Sequence, residues 1–308
     1  MKNLEFEEWD GGRLVVNREF GDLLHANGLA TFRELMTFSA GNVAKNSLRE
    51  RTTTRIVLTD TNAESQAFYL KRHGPAPWKE YLKPLLRLTR PMLGARHEWN
   101  AILQFHAAGI STMTPVALGI AGRQSFLLTA ALDGCTKLSH WIGTQSADNS
   151  VTETLTAKDA EKRENGGRKT EDGKTANSPR PQADGSDHQT HRAIIRSLAR
   201  VARTMHHAGL HHQDFYLTHL LVPDAGPPGT VFVIDLGRAR HRRKLSRRWI
   251  VKDLAQLNYS ATPATRSDRA RFLRAYLGRK LQTSDRDLLA RIERKSHAIA
   301  RHSARHRL

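Results

Sequence analysis

Four ionisable residues stand at special places along this chain, and their order restricts the folds open to it more than any other feature. Lys71 lies in AFYLKRH (67–73), a short aromatic-rich stretch that reads as a strand and breaks at Gly74-Pro75. Glu98 stands near the start of GARHEWNAILQFHAA (94–108), a helical pattern with Trp99, Ile102, Leu103 and His106 on one stripe and Gly109 as its stop. Asp214 sits in LHHQDFYLTHLLV (210–222), directly after the helical pattern HRAIIRSLARVARTMHHAG (191–209). Asp235 closes VFVIDLG (231–237), the second strand of a hairpin whose turn is PDAGPPG. Taken singly, a strand lysine usually points to solvent and an early helical glutamate usually complements the helix dipole. Their occurrence in this order and in these contexts is the informative observation.

The surrounding pattern is strand-rich at first and helical later. GGRLVVN (11–17) and TTTRIVLTD (52–60) alternate apolar with polar residues, and LATFRELMTF (29–38) has helical spacing. TPVALGI (114–120) and QSFLLTAAL (124–132) read as a strand pair across Ala121-Gly122, and CTKLSHWI then begins a helix. From residue 265 onward Phe272, Leu273, Tyr276, Leu277, Leu288, Leu289 and Ile292 recur at helical spacing among many Arg and Lys. Two basic amphipathic helices follow, packed on the domain or lying against an anionic surface.

Residues 144–190 contain no aromatic residue and are rich in Thr, Asp, Glu, Lys, Gly and Ser. A tract this polar cannot bury enough surface to offset its ordering entropy, so the expectation is a disordered insertion. The expected division is a 1–132 lobe of strands plus one helix and a 133–308 lobe, mainly helical, carrying that insertion.

Charge and cysteine usage narrow the setting. The net charge is +19, with a sequence pI near 10.7, and such a field needs an anionic partner. Nucleic acid, an anionic membrane face and a phosphorylated or carboxylated substrate all meet that need. The single cysteine, Cys135, excludes an internal disulfide framework and fits a reducing compartment. No run of about 18 apolar residues exists, and MKNLEFEEWDGG lacks the basic and apolar regions of a signal peptide. The expectation is an unprocessed chain inside the cell.

The four positions resemble the phosphotransfer apparatus of the protein-kinase-like fold, an α+β fold of two lobes. In that arrangement Lys71 neutralises ATP phosphates and Glu98 holds its ammonium by an ion pair. Asp214 accepts a hydroxyl proton or orients the attacking oxygen, and Asp235 offers hard oxygen ligands to Mg²⁺. Asp253, in KDLAQL, stands where such folds brace the catalytic loop. The familiar His-Arg-Asp loop, with Asn five residues on, reads here as His212, Gln213, Asp214 and His219. Gln213 removes a cation that can clasp a phosphorylated activation loop. His219 stands at the second metal position, where imidazole is a poor ligand for Mg²⁺. A zinc site from His206, His207, His211, His212 and His219 is the competing reading, but the adjacent His206 and His207 point about 100° apart on a helix. The phosphate-covering loop is left open, because SAGNVAKN (39–46) has one glycine.

Between Gly237 and Trp249 the chain reads RARHRRKLSRR, seven Arg or Lys in eleven residues. The guanidinium fork suits carboxylate and phosphate, so Arg238, Arg240, Arg242, Arg243, Arg247 and Arg248 are the candidate acceptor-binding residues. The run holds no aromatic residue for stacking on bases, which argues against nucleic acid.

PWKEYLKPLLRLTRPMLGARHEWNAI, HHQDFYLTHLLV, VIDLGRAR and RRWIVKDLAQLNYSA resemble the corresponding stretches of the lipopolysaccharide core heptose kinases, the WaaP or RfaP type. The resemblance covers roughly 67–142 and 191–276, and its most specific pieces are LGARHEWNAI and the RRWxxKDLAxLxxS pattern. It implies ATP-dependent phosphorylation of the first heptose of the inner core at the cytoplasmic face of the inner membrane, on a lipid carrying acidic sugars. It also implies the roles given above for Lys71, Glu98, Asp214 and Asp235. The family places His at the position of His219 and usually Arg at that of Gln213. Two other readings use the same residues: a kinase-like protein with a protein or RNA-associated acceptor, and a non-catalytic kinase-like scaffold.

Overall fold

The computed structural model describes residues 4–40, 42–48, 51–75, 94–141, 185–225 and 229–306. The chain forms two compact units interleaved along the sequence. One comprises Met1–Cys135, Thr204–Phe215 and Phe232–Leu254, the other Thr136–Arg203, Tyr216–Val231 and Ala255–Leu308.

The first unit is built on a seven-stranded antiparallel sheet. Its strands are β1 (Phe6–Trp9), β2 (Leu14–Asn17), β3 (Asn42–Leu48), β4 (Arg51–Thr59), β5 (Ser65–His73), β6 (Pro115–Ala121) and β7 (Gln124–Ala130), in the order β1-β2-β6-β7-β5-β4-β3. SAGNVAKN therefore contributes mainly to edge strand β3. Two short helices, α1 (Gly21–Ala26) and α2 (Phe32–Thr37), close the core; α2 opens with a reciprocal capping box between Thr31 and Glu34. The core gathers Leu14, Val16, Leu24, Leu35, Ile56, Leu58, Phe68, Leu70, Phe126 and Leu128, all fully buried. Each such side chain contributes about 1.5–3 kcal/mol by leaving water.

Period-two alternation on β5 decides where Lys71 goes. Phe68 and Leu70 enter this core, so Lys71 between Leu70 and Arg72 points to the opposite face. That face meets α3 (Ala95–Ala107), whose first N–H, at Ala95, donates to Ser125 Oγ at 3.0 Å. On α3 the buried stripe is Glu98, Trp99, Ile102 and Phe105; Leu103 and His106, expected on it, are only half-buried. Arg72 turns the other way and donates to the carbonyls of Leu35 and Phe38 at the end of α2.

Two expectations need correction. CTKLSHWI does not open as a helix: Cys135–Lys137 form strand β8, and residues 138–141 are helical. The long helix α4 runs Gly185–His207, so the last part of the polar tract, 185–190, is helix, because its C-terminal half supplies a buried face to continue from. The remainder of that tract, 144–184, lies outside the described residues, as do residues 77–93 of the stretch PWKEYLKPLLRLTRPMLGARHEWNAI.

After α4, β9 (Leu210–His211) pairs antiparallel with β12 (Arg240–His241). Between them in sequence come β10 (Leu220–Pro223) and β11 (Phe232–Val233). Gly209, at φ 72°, sets this pairing: a Cβ there would lie 2.2 Å from the Arg242 carbonyl oxygen, and the Gly209 carbonyl accepts the Arg242 N–H at 2.8 Å. Three more helices complete the chain, α5 (Arg247–Ser260), α6 (Arg266–Leu277) and α7 (Arg286–His306). Within the second unit α7 buries Ile292 and Ser296, and Ser296 bonds to Asn258 and the Ala255 carbonyl. The expected pair of basic amphipathic helices is present as α6 and α7, with Tyr276 and Ile292 buried and Phe272, Leu273, Leu277, Leu288 and Leu289 half-buried.

Candidate active site

Lys71 and Glu98 meet as their elements require. Lys71 Nζ lies 2.6 Å from Glu98 Oε1, a charge-assisted contact with Glu98 in the first turn of α3, where the helix dipole also favours a carboxylate. Burial alone would lower the Lys71 pKa, but Glu98 and then Asp235 outweigh it and hold the ammonium above its usual range.

Asp235 follows β11 and adopts left-handed backbone, φ 58° and ψ 57°, before the short helical turn Leu236–Arg238. The turn brings Asp235 Oδ1 within 4.0 Å of Lys71 Nζ and leaves its side chain 52% exposed. Gly237 passes so close to Glu98 that a Cβ would be 3.4 Å from Oε2. Two contacts aim this segment: Val233 N–H donates to the Ser111 carbonyl, and His97 Nε2 lies 2.7 Å from the Ala239 carbonyl.

Asp214 is held by its neighbours in the loop. Its N–H donates to His212 Nδ1 at 3.2 Å, and His212 Nε2 lies 3.0 Å from the Ile234 carbonyl; both contacts fit one neutral tautomer, protonated on Nε2. Asp253, fully buried, accepts the N–H of His212 at 2.8 Å on one oxygen and that of Gln213 at 2.9 Å on the other. These two bonds support Gln213 at φ 70°, a conformation its side chain disfavours. His206 Nε2 lies 3.5 Å from the same carboxylate. Burial would raise the Asp253 pKa, but the His206 ring and the backbone N–H of His212 outweigh it and hold it below its usual range.

Gln213 donates through Nε2 to the Arg238 carbonyl at 2.8 Å, and Arg238 Nη1 lies 3.0 Å from both oxygens of Asp214. The residue that sequence reasoning left without a role thus ties the loop of Asp214 to the turn of Asp235. Nothing in the spacing announced this, nor the contacts of His97 and His206.

The basic run is partly engaged with an indole. The Arg242 and Arg248 guanidinium carbons each lie 5.2 Å from the Trp249 ring centroid, Lys252 Nζ lies 5.7 Å from it, and His211 lies against it at 4.5 Å. Arg243 and Arg247 are exposed. The Arg240 pKa is lowered, first by burial and then by repulsion from Arg242. His219 belongs to the second unit, on the turn Leu217–His219, with Tyr216 edge-on at 6.3 Å. Among the described residues no three His, Cys, Asp or Glu side chains group as a metal site, and His206, His211 and His212 serve Asp253, Trp249 and Ile234 respectively.

His211 makes a pH prediction. Burial, together with Arg242, Lys252 and Arg240, lowers its pKa from 6.5 to about 4 despite Asp253. The unfolded chain therefore binds a proton that the folded chain refuses between these values. Stability, complete above pH 6.5, should fall as pH drops towards 4, by up to about 3 kcal/mol at about 1.36 kcal/mol per pKa unit. His73, also lowered to about 4, adds to the same limb. Urea midpoints measured across this range should be flatter for His211→Phe, which keeps an aromatic ring against Trp249 and removes the titration.

A strand lysine paired to a helical glutamate, with one aspartate beyond a hairpin strand and another in a braced loop, defines a phosphotransferase of the protein-kinase-like fold, α+β in class. The family model of the lipopolysaccharide kinase (Kdo/WaaP) family matches residues 39–162 and 180–276, and the chain belongs to that family. It is 33% identical over 248 residues to the lipopolysaccharide core heptose(I) kinase WaaP of Pseudomonas aeruginosa, covering 78% of this chain and 81% of that protein. The Escherichia coli K12 protein of the same name is 31% identical over 271 residues, covering 83% and 88%. Among solved structures, WaaP in complex with acyl carrier protein is similar with a TM-score of 0.61 and 31% identity, over 93% of this chain and 98% of that one.

Proposed function

We propose that this protein transfers the γ-phosphate of ATP to a hydroxyl of heptose I in the lipopolysaccharide inner core. The observation that carries the reading is the Lys71–Glu98 ion pair with Asp235 beside it, in the same compact unit as Asp214. The acceptor oxygen attacks the γ-phosphorus as the bond to the β,γ-bridging oxygen breaks. The hydroxyl proton passes to the Asp214 carboxylate, and ADP leaves. Lys71, kept charged by Glu98, neutralises phosphate oxygens of the bound nucleotide. Asp235 fits a Mg²⁺ ligand, being a hard, half-exposed carboxylate next to that ammonium. When bound, Mg²⁺ would offset the charge of the phosphates.

Arg238, Arg240, Arg242, Arg243, Arg247 and Arg248 form the acceptor side, and seven Arg or Lys within eleven residues support an anionic acceptor. Residues 1–132, which hold the whole seven-stranded sheet, form the nucleotide lobe, and 133–308 the catalytic and acceptor lobe. The working place is the cytoplasmic face of the inner membrane, held peripherally by the +19 charge. No helix among the described residues is long and apolar enough to cross a membrane. The complex of a relative with acyl carrier protein supports a protein partner here as well.

The test is incubation with γ-labelled ATP and extracted core lipid lacking heptose phosphate. Label is expected on the lipid and to depend on Mg²⁺. Label found only in protein, RNA or inorganic phosphate would overturn the assignment.

A further inference from the structure

The contact between Arg238 and Asp214 has a geometry unlike that of a bystander ion pair. One nitrogen, Nη1, is 3.0 Å from both carboxylate oxygens, so it sits between them, occupies the lone pairs on that side and offsets the charge with which Asp214 would draw a hydroxyl proton. The Arg238 side chain is 58% exposed and that of Asp214 22%, and ion pairs as open as this are weak and exchangeable. The Arg238 backbone, by contrast, is pinned, because its carbonyl accepts from Gln213 Nε2 at 2.8 Å and the following residue binds His97. The side chain can therefore swing while its origin stays fixed beside the base. Downstream along the same segment lie Arg240, Arg242 and Arg243, where an anionic acceptor would be held.

We propose that Arg238 is a specificity-determining residue that caps Asp214 until a carboxylate of the acceptor draws its guanidinium away, so that the base is exposed only beside an acidic acceptor. This rests on the assignment of Asp214 as the base for a sugar hydroxyl. The exchange replaces one carboxylate partner of the guanidinium fork by another, which keeps its charge-assisted bonds nearly constant in number. A neutral sugar has nothing to exchange and leaves the cap closed. Water is rejected for the same reason. Its attack on the γ-phosphorus, giving ADP, inorganic phosphate and a proton to Asp214, draws on the same carboxylate oxygens that Arg238 engages. Gln213 is then a positioning residue, acting through the Arg238 backbone.

The test uses the full chain with MgATP and two acceptors, a heptosyl disaccharide bearing its neighbouring sugar's carboxylate and the same compound with that carboxylate reduced to the alcohol. Wild type should prefer the acidic compound and hydrolyse little ATP alone. In Arg238→Met the preference should fall about tenfold and acceptor-free hydrolysis rise about tenfold, the scale of one charge-assisted contact. Arg238→Lys should restore part of the preference, and Gln213→Ala should shift both readouts in the same direction as Arg238→Met but less. Arg33→Met, an exposed charge on α2, should change neither. Equal loss on both acceptors in Arg238→Met, or unchanged preference with unchanged hydrolysis, would overturn the cap. If Arg238→Met does not fold, Gln213→Ala and Arg238→Lys carry the same comparison. If wild type transfers to neither acceptor, the heptose assignment fails, and the change in acceptor-free hydrolysis alone then decides the cap.

Discussion

Asp214→Asn is expected to lower the rate of phosphate transfer by about 10²- to 10⁴-fold, the range a positioned general base contributes. The amide keeps the size of the side chain and cannot take the hydroxyl proton. The substitution leaves Lys71, Glu98 and Asp235, the groups proposed to hold nucleotide, unaltered, so MgATP affinity by calorimetry should stay within about threefold of wild type, a split that marks a transition-state contact. The Asp214 N–H bond to His212 Nδ1 is a backbone bond and survives the substitution. Transfer at near wild-type rate would remove Asp214 from the chemistry, and a parallel loss of nucleotide binding would point to a rearranged loop instead.

Asp253→Ala should cost about 3–5 kcal/mol, because it strands buried donors rather than removing a surface charge. The buried N–H groups of His212 and Gln213 would both lose their acceptor, and Gln213 would be left in left-handed backbone without support. Activity should fall with stability, since these residues immediately precede Asp214. Asp253→Asn should be intermediate in urea denaturation, because its one carbonyl oxygen serves a single N–H and its amide nitrogen faces the other. The linkage has a definite sign. The folded Asp253 pKa lies below 3.8, so its contribution is complete above that value and is lost as pH falls through the lower, folded one. An alanine variant as stable as wild type would refute the bracing role.

Much of this arrangement was legible in the chain. AFYLKRH alternates, so Lys71 had to leave the core that Phe68 and Leu70 enter, and GARHEWNAIL places Glu98 in the first turn of a helix whose apolar side is buried. The failures were of a different kind. Cys135–Lys137 forms a strand because its partners lie elsewhere in the chain, and a pattern read within a few residues does not contain them. Residues 185–190 extend a helix that packing downstream sustains, so their own composition misleads. SAGNVAKN, ambiguous as a loop, is drawn into the sheet edge by pairing with β4.

The sequence by itself determined which chemical groups the site could contain and on which kind of element each would ride, because periodicity and turn chemistry are local properties of the chain. Only the tertiary structure decided how those groups are used. Gln213 reaches the Arg238 carbonyl, Arg238 closes over Asp214, and His206 stands behind Asp253. Each of these joins segments separated by a hairpin or a helix, and the geometry of such contacts exists only once backbone hydrogen bonds and the packed core have fixed where the loops meet.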